Sequence, residues 1–224
     1  MRRYVITAVA LLVFVIFVGT LLEALRALTR EASVIITDTS CAPPCWNSIQ
    51  PGITTADEVF RLLNGADDVD PLSLRERSRG DEVVWISWVF QRPAPDATGR
   101  AHYLEGRVAA IVIGTYNSVR LDEMLAKLGP ASFSWYHCQT SSGISWPQIV
   151  LFWPDDGYAL AMDFDLACSD SGQIRLSPRD GVAAVTYFEP SRFEEILLKR
   201  SVFGVGSERA SLEWEPWSPA DLVR

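Results

Sequence analysis

Histidine is nearly absent from this 224-residue chain, with only His102 and His137 present. A nucleophile, base and orienter arrangement needs a His or Lys beside a Ser or Cys. Both histidines fall in strand-like stretches, and no Gly-x-Ser-x-Gly elbow occurs. Phosphate-cradling glycine loops and EF-hand loops are missing as well. Neither histidine has zinc-ligand spacing to a cysteine. No catalytic residue, cofactor or metal site is therefore assigned. Positive charge is scarce too, since the formal net charge is −8. Residues 1–32 hold Arg2, Arg3, Arg26 and Arg30 against Glu23 and Glu31, which leaves −10 on residues 33–224. So acidic a region repels phosphate backbones, which excludes nucleic acid as a partner. It also lacks the juxtamembrane basic cluster that binds anionic headgroups.

What is present is ordinary for a folded chain: 48% hydrophobic and 21% charged residues argue against bulk disorder. Val5 to Leu22 is an uncharged run of roughly 27 Å as a helix, close to the ~30 Å hydrocarbon core. A cleaved signal peptide has a shorter apolar region and an A-x-A-like site, and Glu23-Ala24-Leu25-Arg26-Ala27 supplies none. Thr39-Ser40 before Cys41 is no lipobox. The expectation is an uncleaved single-pass transmembrane anchor. Arg2-Arg3 places its amino terminus in the cytoplasm and the C-terminal domain outside.

Cys41, Cys45, Cys138 and Cys168 all fall in that external part. An even count in an oxidising compartment reads first as disulfides. Order along the chain suggests Cys41–Cys45, a small loop stiffened by Pro43 and Pro44, and Cys138–Cys168. The C-x₃-C spacing is not the redox-active C-x-x-C, although thiol-disulfide chemistry at Cys41 and Cys45 stays open as an alternative.

Along the chain, Thr54 or Thr55 caps a helix, and Thr55 with Glu58 fits a capping box. Val59, Phe60, Leu62 and Leu63 give the helix an apolar face before Asn64-Gly65 ends it. Residues 67–81 are polar and read as a loop. Val83 to Gln91 reads as a buried strand, and 102–104 and 107–115 as two strands around Glu105-Gly106. Asn117 or Ser118 caps a second helix, which ends at Gly129-Pro130. An offset of 65 residues lays Asp57-Glu58 on Asp122-Glu123 and Val84 to Trp88 on Ile149 to Trp153. Asp156-Gly157 and Asp180-Gly181 signal hairpins, Ser132 to Cys138 an extra strand, and Ser191 to Arg200 a third helix.

The expected fold class is α+β: an N-terminal transmembrane helix followed by two helix-plus-antiparallel-sheet repeats. The layout is anchor and stalk over 1–32, a linker with the Cys loop over 33–48, a first repeat over 49–116, a second over 117–203, and a Trp-containing tail over 204–224. Trp85, Trp88 and Trp153 are expected in the core. Trp46, Trp135, Trp146, Trp214 and Trp217 lie near loops or tail, where exposed rings would mark a binding surface. The tail could instead fold back and fill a groove.

Pro51 to Gly65, PGITTADEVFRLLNG, resembles the opening helix of the BamE/SmpA-like outer-membrane assembly lipoproteins. The matching positions are Gly52, Thr54, Glu58, Val59 and Leu63, with Leu128-Gly129-Pro130 in the second copy. Two such units in tandem are similar to the β-lactamase-inhibitor-protein fold. The resemblance implies an interaction module without catalysis, so an envelope protein is the expected partner. A transmembrane segment replaces the family's lipid-modified Cys. The alternative from another class is an envelope hydrolase or glycan-binding protein. It would use exposed Trp residues together with Asp163 and Asp165, which alternate on one strand and so share a face.

Overall fold

The computed structural model describes residues 41, 44–79, 82–91, 97–141, 144–164, 176–198 and 215–216. Its strands are β1 (Arg75–Arg79), β2 (Glu82–Val89), β3 (Thr98–Leu104), β4 (Arg107–Arg120), β5 (Phe133–Ser141), β6 (Ile144–Trp153), β7 (Tyr158–Asp163), β8 (Gly181–Phe188) and β9 (Glu215–Pro216). They form one nine-stranded sheet in the order β1-β2-β3-β4-β8-β7-β6-β5-β9, antiparallel at every pairing. The chain enters at one edge and reaches the middle at β4. It enters again beside the other edge at β5 and returns to the middle at β8.

This architecture corrects the expected fold class. The molecule is mostly antiparallel sheet, and the strands of both expected repeats are hydrogen-bonded into it. β4 runs through the expected 116/117 boundary. It pairs with β8 over Ala110–Gly114 and again at Val119–Arg120, with a register shift between. The helices among the described residues are short: α1 (Ala56–Asn64), α2 (Leu121–Leu128) and α3 (Phe193–Leu198). Among the described residues no helix is long and apolar enough to cross a membrane. The run from Val5 to Leu22 lies outside them.

α1 forms where its local signals place it. The Thr55 backbone N–H donates to Glu58 Oε2 at 2.8 Å, and that bond, more than any other contact, holds the Glu58 carboxyl below its usual range. Val59 and Leu63 are fully buried, and Gly65 closes the helix. The turn before α1 is sewn to β4: Gly52 N–H donates to Val108 O (2.7 Å) and Val108 N–H to Thr54 O (2.8 Å). α2 begins at Leu121, three residues after Ser118. Asn117 and Ser118, which read as caps, belong instead to the irregular stretch of β4. There Asn117 takes a φ of 60°, Ser118 Oγ donates to Thr115 O and Thr115 Oγ1 donates to Val182 O.

Strand alternation divides the core between two faces. On one face Ile86, Trp88, Phe90, Ile111, Ile113, Leu151, Leu160 and Val185 pack with Val59 and Leu63 of α1 and Met124 of α2. On the other, Ala110, Val150, Phe152 and Phe188 pack with Phe193 and Ile196 of α3. α3 covers only part of that second face.

Candidate functional site

The remainder of the second face is a cleft of about 620 Å³, and sheet register explains how it is lined. Residues directly opposite across antiparallel strands share a face. One row runs Arg75, Ser87, Arg100, Val112, Thr186 from β1 to β8. Beside it, Gly114, Ala184 and Ala161 give a floor without bulk. Trp146, Gln148 and Asp163 form the far wall, where Gln148 Nε2 donates to Asp163 Oδ1 at 2.6 Å. The near wall is cationic. The Arg100 guanidinium lies 5.0 Å over the Trp85 ring, and Arg75 Nη1 donates to Leu72 O and Leu74 O. Arg77 stands opposite Trp85, in the row that continues to His102.

His102 lines the cleft yet is 5% exposed. Burial, aided by the nearby Arg100 charge, pushes its pKa down to about 4, so the imidazole is neutral at pH 7. His102 and Asp163 cannot work as a dyad. β4 and β8 separate their strands, a span of at least about 14 Å at ~4.8 Å per strand. Asp163 is the one carboxylate among the described lining residues, and Asp165 lies outside the described residues. Paired-carboxylate hydrolysis needs two such groups within about 5–10 Å of each other.

The Cys41–Cys45 disulfide is present, with Cα atoms 5.9 Å apart. It leads into Trp46, which is buried, stacks on Trp88 with centroids 5.3 Å apart, and meets Phe90 edge-on. Trp46 is thus a core residue, as are Trp88, Trp153 and, under α3, Trp135. Trp85 departs from expectation: it is half-buried on the sheet face that carries the cleft, opposite His102. Cys138 lies opposite Pro147 in the β5–β6 pairing, and His137 is its neighbour in β5. Their side chains, and Cys168, lie outside the described residues. Of the tail, Glu215-Pro216 adds to the β5 edge, and Trp214 and Trp217 lie outside the described residues. Among the described residues no group of three or more His, Cys, Asp or Glu side chains is placed to hold a metal ion.

Sequence reasoning missed the cationic wall. Arg75 and Arg77 alternate at period two, the signal of a strand face, but residues 67–81 carry no apolar alternation and read as a loop. Fold and site together define a class: a single-sheet protein that presents a concave polar face. No family model, no curated protein and no solved structure matches the chain.

Proposed function

We propose that the protein is a non-enzymatic extracytoplasmic module that binds another envelope protein through the cleft face of its sheet. The observation that carries the reading is the cleft itself. A floor of Gly114, Ala161 and Ala184 lies between an arginine wall and an Asp163–Gln148 wall, with no described element packed over it. Small floor residues admit an incoming loop, and the polar walls supply directional contacts that orient it. The spread of its ionisable groups, a neutral buried His102 and a lone Asp163 three strands away, favours recognition over catalysis. The Cys41–Cys45 disulfide supports an oxidising compartment. Attachment to a membrane rests on the uncharged Val5–Leu22 run, and kinship with BamE/SmpA-like proteins on Pro51–Gly65.

The test places a photo-crosslinking residue at position 184, on the cleft floor, or at position 61, on the exposed face of α1, in the full chain within its native envelope. A defined product identified by mass spectrometry from position 184 alone, abolished by filling the cleft with Ala161→Trp, is the expected result. Identical products from both positions would remove the cleft from the binding surface.

A further inference from the structure

We propose that the arginine cluster at the cleft, Arg75 and Arg100 in its wall and Arg77 beside them on the same sheet face, is the docking site for an acidic peptide segment of the partner protein. The inference rests on the binding-module reading and assigns that partner a chemistry.

Three arginines on one face are out of keeping with a chain of net charge −8. Register brings them together: Arg75 and Arg100 both stand opposite Ser87, and Arg77 stands opposite Trp85. All three are exposed. The ion pairs among the described residues are Arg120–Asp122, Arg192–Glu105 and Arg192–Glu195, so none neutralises this wall. Glu76, between Arg75 and Arg77, projects to the opposite face by strand alternation and accepts from Ser78 Oγ. The guanidinium of Arg100 sits over the Trp85 ring, and a cation so placed keeps N–H groups for a carboxylate. Arg75 is fixed by the two carbonyls its Nη1 reaches. Two guanidinium forks on one face, about 10 Å apart across β2, favour planar carboxylates, each of which a fork can grip with paired hydrogen bonds.

Geometry selects a short peptide over a broad polyanion. The site is concave, and Asp163 stands on the far wall, three strands across and four residues along from the row of the β3 arginine, roughly 20 Å away. A long anionic polymer or a bilayer surface would bring its own charge against Asp163 and the acidic remainder of the chain. A few acidic residues reach the arginines alone.

The experiment measures binding of fluorescein-labelled hexaglutamate, hexaserine and hexalysine peptides to the full chain in neutral detergent at about 50 mM salt. Hexaglutamate is expected to bind at least about tenfold more tightly than hexaserine, and to weaken as salt rises. Arg77→Gln with Arg100→Gln should lose about tenfold, while Arg179→Gln, in the turn before β8, should lose nothing. Arg77→Lys with Arg100→Lys keeps the charge and loses the forks, so an intermediate loss is expected and folding is safeguarded. Equal binding of hexaglutamate and hexaserine, or an equal loss from Arg179→Gln, would overturn the assignment. So would arginine-dependent binding of phosphatidylserine vesicles without binding of hexaglutamate. If hexaglutamate fails while position 184 still cross-links one partner, the acidic segment is wrong and the binding module stands.

Discussion

Gly99 shows how little room single residues have in this fold. It pairs with Trp88 across β2 and β3, and a Cβ there would overlap the Trp88 indole. That indole cannot retreat, because Trp46 stacks on it and Phe90 closes its edge. Gly99→Ala should therefore cost about 3 kcal/mol, the upper end of ordinary overpacking. Denaturant midpoints would read the loss, and a Trp88→Leu second substitution should recover part of it. His102 sets a second residue-scale expectation, through pH. Its folded pKa of about 4 lies below the ordinary 6.5, so the unfolded chain takes up the proton first. Stability is unaffected above pH 6.5, falls as pH drops through the window, and levels off near pH 4. The loss at pH 4.5 is about 2–3 kcal/mol. His102→Gln, which cannot titrate, should shrink the fall in Tm between pH 7 and pH 4.5; an unchanged fall would show that other groups control the acid limb. The sequence named His102 but not its setting, because its burial depends on pairing register, which places it between Trp85 of β2 and Ala110 of β4.

Among the elements, those with local causes were legible and those with distant causes were not. α1 was readable because its cap, box partner and stop all lie within the segment Thr55–Gly65. β1 was not, because Arg75–Arg79 has no apolar face and becomes a strand only by pairing with β2. The start of α2 was misread for a related reason: Asn117 and Ser118 are good capping residues, but β8 holds Val119 and Arg120 in the sheet. As a result the arginine wall escaped notice while Asp163 did not. The Cys loop is an element of the first kind, and its contribution can be stated. Replacing Cys41 and Cys45 with Ser frees a loop of four residues' separation, which costs about 2 kcal/mol on loop-entropy grounds. Its neighbour Trp46 remains buried in the core, so cross-linking from the cleft should survive the change. Lower Tm with unchanged cross-linking is the expected pair of results; lost cross-linking at unchanged Tm would give the cysteines a functional role instead.

For the whole molecule the decisive contact is the β4–β8 seam, where two sequence-distant halves become one body. Ile111 stands opposite Tyr187 and Ile113 opposite Val185, and all four side chains are buried. The same core cluster includes Val59 and Leu63 from α1 and Met124 from α2. Neither half encloses its own interior. Full burial of a residue such as Ile111, Ile113 or Val185 contributes about 1.5–3 kcal/mol, so the three together rival the ~5–15 kcal/mol net stability of an entire domain. A chain divided after Arg120 strips the partner strand from Ile111 and Ile113 in one piece and from Val185 in the other. Produced separately, residues 1–120 and 121–224 should each lack a cooperative thermal transition, whereas the intact chain should unfold in one step by both far-ultraviolet circular dichroism and tryptophan fluorescence. Two fragments that each melt cooperatively would mean that the seam joins finished domains. A single transition would mean that the cleft, whose walls lie on opposite sides of that seam, exists only when the whole sheet has formed.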